Sequence, residues 1–130
     1  MPRILDTPSG PAAIGPYSAA VEAGGFVFLS GQVAFDPESG DRVPDDIETQ
    51  TMRVLDNIGL ILGDLGLDYS DVAKTTVFLA DMVDYPAVNE IYASYFGDQP
   101  PARSAFQAGA LPGGFRIEIE VIAAKREESR

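Results

Sequence analysis

Cysteine and histidine are both absent from the 130-residue sequence. Without cysteine there can be no disulfide, no thiolate nucleophile and no thiolate-bound zinc or iron–sulfur centre. Without histidine the usual base at neutral pH is missing, and with it Ser-His-Asp triads and imidazole metal sites. Ser-x-x-Lys, Gly-x-Ser-x-Gly and phosphate-loop patterns are missing as well. Asp64, Asp68 and Asp71, close to Gly66, lack the glycine and terminal glutamate of a calcium loop. No metal and no cofactor is therefore expected. An enzyme written in this alphabet relies on carboxylates, Arg, Lys, Tyr, Ser and backbone groups, which suits substrates that are already reactive.

Positive charge is also scarce. Nine Lys and Arg stand against 20 Asp and Glu, a net charge of −11. Such a chain repels phosphate backbones and anionic membrane surfaces unless it gathers a basic patch. The densest basic run, Lys125-Arg126 with Arg130, is diluted by Glu127 and Glu128. Neither nucleic acid nor membrane is expected as a partner. No apolar stretch is long enough to span a bilayer, and Met1-Pro2-Arg3-Ile4-Leu5-Asp6 does not read as a secretion signal. The expectation is a cytoplasmic protein.

What is present fits one globular domain over residues 1–130, with 45% hydrophobic and 22% charged residues. The first 16 residues, broken by Pro8, Gly10, Pro11, Gly15 and Pro16, read as turns. Strands are predicted over Tyr17–Glu22 and Phe26–Phe35, joined at Gly24-Gly25. Ile47, Val54, Leu55, Ile58, Ile61, Leu62 and Leu65 recur at helical steps, predicting a helix from Asp45 to Leu65, capped by Asp45 with Glu48 and ended by Gly66. A strand over Asp71–Ala80, a helix from about Pro86 to Phe96, and strands over Ala102–Gly109 and Phe115–Ala124 flanking Leu111-Pro112-Gly113-Gly114 complete the chain. The order predicts an α+β fold with two helices on one face of a mixed sheet.

Chemistry has few places to sit. Arg103 follows Pro100-Pro101-Ala102, a stiff entry to a strand, and its guanidinium fork matches a carboxylate. Its plain alternative is a surface or salt-bridged Arg. Glu118 and Glu120 share one strand face, either as solvated surface or as a carboxylate near Arg103 that handles a water. Alternation alone does not choose between them. Gly31, in Ser30-Gly31-Gln32, suggests a bulge or a close approach. Tyr17 is either a core aromatic or part of a site, and Asn89 is the one uncharged amide on its helix.

Six segments in order, Ala13-Ile14-Gly15-Pro16-Tyr17-Ser18, Leu29-Ser30-Gly31-Gln32, Asp71-Val72-Ala73-Lys74-Thr75-Thr76-Val77-Phe78-Leu79, Val88-Asn89, Pro101-Ala102-Arg103-Ser104 and Ile117-Glu118-Ile119-Glu120, together resemble the RidA (YjgF) family across nearly the whole chain. The resemblance implies a fold like that of the trimeric chorismate mutases, a homotrimer with sites between subunits, and hydrolysis of 2-iminobutanoate and 2-iminopropanoate to 2-oxo acids and ammonia. It implies that Arg103 binds the substrate carboxylate, that Glu118 handles the water, and that Tyr17, Ser30, Gly31 and Asn89 line or support the cleft. Ala105 stands where the family often has Cys, so a backbone contact could persist there but a thiol role could not. Ser30 or backbone amides could stabilise the tetrahedral centre. Relatives with the same fold act in pyrimidine breakdown (aminoacrylate), in aromatic-amine deamination or as ribonucleases. A trimer that binds small carboxylates without turnover is the non-enzymatic alternative.

Overall fold

The computed structural model describes residues 1–126, so Glu127, Glu128 and Arg130 lie outside the described residues. Six strands and two α-helices alternate along it: β1 (Arg3–Ile4), β2 (Ala20–Ala23), β3 (Phe26–Gln32), α1 (Ile47–Asp64), β4 (Val72–Leu79), α2 (Tyr85–Phe96), β5 (Ala102–Gln107) and β6 (Ile117–Ala124). They form the single α+β domain expected, with one mixed sheet in the order β1-β2-β3-β6-β4-β5. Every neighbouring pair is antiparallel except β4 and β5, which run parallel with α2 as their crossover.

The core forms because β3, β4 and β6 alternate buried and more exposed residues. Ile117, Ile119, Val121 and Ala123 of β6 face the helices, where Val54, Leu55, Ile58, Ile61 and Leu62 of α1 are fully enclosed. Gln50 is a buried polar tie. Its carbonyl oxygen accepts the Arg116 backbone N–H at 2.9 Å, locking the start of α1 to the approach to β6.

Several expectations are corrected. The N-terminal turns include β1, whose Arg3 and Ile4 pair with Glu22 and Val21. The β2 strand starts at Ala20 rather than Tyr17, and β3 ends at Gln32 rather than Phe35. Asp46, not Asp45, caps α1 by accepting the Thr49 N–H at 2.8 Å. Asp45 instead accepts from Gln50 and Arg116. The α2 helix begins at Tyr85, one residue before Pro86. The two last strands do not pair with each other, because β4 lies between them. Local turn signals report where a chain reverses, but they cannot show that an earlier strand fills the gap.

Two turns were legible. Gly24 and Gly25 take φ of 61° and 84°, the positive values that a two-residue hairpin loop needs. Between Leu29 and Gln32 the β3–β6 register slips, Leu29 pairing with Val121 and Gln32 with Ile119, which places a bulge at Ser30-Gly31. Leu55→Ala empties a fully buried position and is expected to lower unfolding free energy by about 2–5 kcal/mol. Denaturant unfolding would show this as a lower midpoint at unchanged slope.

Candidate active-site cleft

The bulge creates the candidate site. An extra residue at Ser30-Gly31 bends β3 beside β6, and there the Glu118 side chain lies over the Gly31 backbone. A Cβ on Gly31 would run into the Glu118 carboxylate, so a glycine is required for that carboxylate to occupy its place. The predicted bulge is present, and what comes close to Gly31 is the Glu118 side chain rather than a ligand or another backbone.

A cleft of about 630 Å³ opens over this point. Tyr17, Ser30, Gly31 and Glu118 line it together, with Glu120 beside them. Its far wall is apolar, built from the Pro11–Ile14 segment, Phe35 and Phe115. Phe35 and Phe115 meet edge to face at 4.9 Å, and the Arg42 guanidinium covers the Phe115 ring at 4.0 Å while donating to the Gly113 carbonyl. Asn57 of α1 donates to the Phe35 carbonyl at 2.8 Å, fixing that wall to the helix. Sequence reasoning missed this apolar wall, because Phe35 and Phe115 carry no signal beyond hydrophobicity.

Burial pushes the Glu118 carboxyl above the ordinary carboxylate value, and repulsion from Glu120 adds to it. A carboxylate so raised is a stronger base than an ordinary Glu, a property suited to taking a proton from water. Among the described residues no hydrogen bond or ion pair to Glu118 is present, and no lining residue is Lys or Arg. Ser30 is committed: its hydroxyl donates to the Ser18 carbonyl at 2.6 Å, and its N–H to the Ala19 carbonyl at 2.9 Å. It keeps only lone pairs for a ligand, which corrects the idea that its hydroxyl could stabilise a developing anion. Tyr17, by contrast, keeps a donor. Its hydroxyl accepts the Ile14 N–H at 3.3 Å and gives its own proton to no group among the described residues.

Arg103, Asn89 and Ala105 lie elsewhere. Arg103 pairs with Thr75 in the β4–β5 register, and Thr75 is buried facing α2, where its hydroxyl meets that of Tyr92 at 2.7 Å. Glu118 pairs with Phe78, an odd number of residues further along β4 and thus on the other face. The two side chains point away from opposite sides of one sheet. The expectation from the strand pattern, a carboxylate held near Arg103, is not met within one chain.

Arg103 is half-buried against α2, donating to the Tyr85 hydroxyl at 2.9 Å with its guanidinium 4.8 Å from the Tyr92 ring centre. Asn89 occupies the same stripe of α2, between those tyrosines, and its Oδ1 is buried without a partner. Ala105, two residues past Arg103, turns the same way and packs against the core. Tyr85 was missed because Pro86 suggested a later helix start.

Fold and cleft define a class: a small α+β protein with an acidic, bulge-built cleft on one sheet face and a half-buried cation on the other. The chain matches the family described as Endoribonuclease L-PSP over residues 7–125. It belongs to that family, which is also known as RidA/YjgF. A mouse protein named 2-iminobutanoate/2-iminopropanoate deaminase is 50% identical over 121 residues, covering 93% of this chain and 90% of its own length. An Arabidopsis thaliana protein named Reactive Intermediate Deaminase A, chloroplastic, is 52% identical, covering 93% of this chain and 65% of its own length. Among solved structures, E. coli TdcF with bound serine superimposes with a TM-score of 0.89 at 37% identity, covering 95% of this chain and 99% of that one.

A raised Glu118 pKa in the folded state means the ionised form is disfavoured on folding. Its contribution to stability is therefore fullest at acid pH and is lost as pH rises through the folded value. Glu118→Gln removes that loss. Its stability relative to the parent is expected to improve as pH rises above the ordinary Glu value of about 4.3, measured as unfolding midpoints in a pH series starting below it. Gly31→Ala is expected to displace the Glu118 carboxylate and cost most of the site's activity. A crystal structure of that variant would show the shifted side chain.

Proposed function

We propose that this chain is a cofactor-free hydrolase that converts 2-imino acids such as 2-iminobutanoate and 2-iminopropanoate into 2-oxo acids and ammonia. The observation that carries this is the unpaired, burial-raised Glu118, which lines one cleft together with Tyr17 and with no Lys or Arg among the lining residues. Relatives at about half identity bear deaminase names, which supports the substrate class.

The substrate carries a carboxylate, which the cleft in one chain does not match. Arg103 is the guanidinium we assign to it, supplied by a second copy. Opposite-face placement of Arg103 and Glu118 supports a composite site, since one chain cannot bring both to one small molecule. The sheet face away from the helices also carries Phe26, Phe28 and Phe106 at 44%, 39% and 48% exposure, with Phe78 packed edge to face on Phe106. Aromatic side chains left open on a sheet favour burial against another copy. Assembly as a homotrimer with sites between subunits accommodates all of this. The solved structure of TdcF, to which this chain is similar, holds serine, a small carboxylate-bearing molecule, which supports this reading.

In the proposed reaction Arg103 grips the carboxylate and sets the iminium carbon over Glu118. Glu118 takes a proton from water as the oxygen attacks that carbon, and the C=N π pair moves onto nitrogen. The Tyr17 hydroxyl is placed to donate to the new C–O oxygen. Proton return from Glu118 to nitrogen makes ammonia the leaving group; as the C–N bond breaks, the oxygen's lone pair forms the C=O bond and the hydroxyl proton passes back to Glu118, giving the 2-oxo acid and ammonia. Asn89 Oδ1, buried and unpartnered, is an acceptor on the Arg103 side, consistent with a cleft-supporting role; Ala105 can contribute only through its backbone.

A ribonuclease reading follows from the family's descriptive name, but the charges oppose it. Lys125 is paired with Glu22, and Arg126 with Asp68 and Asp71, so the densest basic segment is already neutralised among the described residues. Among those residues no helix is long and apolar enough to cross a membrane. The cytoplasm is our reading of its setting, since the chloroplastic name belongs to the Arabidopsis relative.

Ammonia release from 2-iminobutanoate, generated in situ by an amino-acid dehydratase, tests the activity. Arg103→Ala is expected to abolish turnover while leaving the assembly intact. Glu118→Gln is expected to lose turnover yet still bind 2-oxobutanoate. Full activity in Arg103→Ala would refute the anchor, and retained turnover in Glu118→Gln would leave the water without its base.

A further inference from the structure

A guanidinium that is half-buried ordinarily seeks a carboxylate, because an uncompensated buried charge is costly. This chain has 20 acidic residues to offer. Four of its other cations use them: Arg3 pairs with Glu22, Arg116 with Asp45 and Asp84, Lys125 with Glu22, and Arg126 with Asp68 and Asp71, while Arg42, Arg53 and Lys74 hydrogen-bond the Gly113 carbonyl, the Asn57 amide oxygen and the Ser104 hydroxyl. Arg103 takes no acidic partner among the described residues. It is held by neutral groups, the Tyr85 hydroxyl at 2.9 Å and the faces of the Tyr85 and Tyr92 rings, 5.5 and 4.8 Å from the guanidinium carbon.

Such a cradle does something that a carboxylate cannot. Ring faces attract the cation, and a phenol oxygen accepts one N–H, so the charge is stabilised but not neutralised. The remaining N–H groups stay available to an incoming anion. A carboxylate partner in that place would instead compete with the ligand for the fork. The cradle is also rigid. Tyr92 is buried and tied through its hydroxyl to Thr75 of β4, the residue paired with Arg103 itself, and Tyr85 opens α2 immediately after the turn at Met82–Asp84. Helix and strand together fix the guanidinium's direction.

We propose that Tyr85 is a positioning residue for ligand carboxylate binding, its hydroxyl holding the Arg103 guanidinium in a fixed direction without taking a carboxylate's place. The proposal rests on Arg103 being the carboxylate anchor. It concerns a hydroxyl, because Tyr85→Phe keeps the ring face and removes only the hydrogen bond.

The test uses the full-length chain in its native assembly and 2-oxobutanoate as the probe. Tyr85→Phe is expected to weaken 2-oxobutanoate binding by about tenfold, as the loss of a hydrogen bond to a charged group would. KM for 2-iminobutanoate is expected to rise by a similar factor, with kcat changed by less than about twofold. In an Arg103→Ala background the same substitution is expected to add nothing, since a residue that acts through Arg103 has no effect without it. Unchanged affinity in Tyr85→Phe, with affinity lost in Arg103→Ala, would overturn the positioning role and leave the anchor standing. Equal losses with and without Arg103 would also overturn it, because Tyr85 would then act independently. Full affinity in Arg103→Ala would overturn the anchor reading and the positioning role with it.

Discussion

Strand alternation governs how this protein can work. Neighbouring residues on a strand face opposite ways, and paired residues on adjacent strands face the same way. Thr75 carries Arg103 to the helix side of β4, and Phe78 carries Glu118 to the open side. No side-chain rotation reverses that, because the sheet and its packed core lie between them. Any chemistry that uses both groups on one small molecule must therefore be assembled from separate copies. The exposed phenylalanines on the open face and a Glu118 cleft lined by no Lys or Arg fit the same requirement.

Each half of such a site is prepared in a different way. On the open face a glycine bulge lets a carboxylate sink into partial burial, which raises its affinity for a proton. On the helix face, aromatic rings and a phenol hold a guanidinium without cancelling it. In the proposed reaction one half supplies a base and the other an anion receptor. A 2-imino acid offers a carboxylate and an electrophilic carbon to match them, and its intrinsic reactivity explains how a chain without histidine, cysteine or a metal cluster at the described residues could suffice.

The layout was largely legible because its determinants are local. The 3.6-residue recurrence of Val54, Leu55, Ile58, Ile61 and Leu62 and the alternation of Ile117, Ile119 and Val121 are each written in one segment. Gly31 marked the bulge because a missing side chain inside an apolar strand needs a reason. The intrusion of β4 between β5 and β6 was not legible, since pairing partners are chosen by the whole sheet. Short β1 escaped notice because its two residues carry no period of their own. Tyr17, Ser30, Gly31 and Glu118 line one cleft, with Glu120, which strand alternation alone does not tell from Glu118, and the separation of Arg103 from them required the β4 register. Ser30's hydroxyl is spent on a backbone carbonyl that no sequence pattern reveals.

The central claim is that Arg103 from one copy serves Glu118 of another. Co-expressing Arg103→Ala and Glu118→Gln chains, each inactive alone, and assaying ammonia release from 2-iminobutanoate on the mixed assembly tests it most directly. If sites form between copies, random mixing restores about a quarter of them with both native groups. Activity well above either variant alone is the predicted result. Mixed assemblies as inactive as their parents would contradict the composite site.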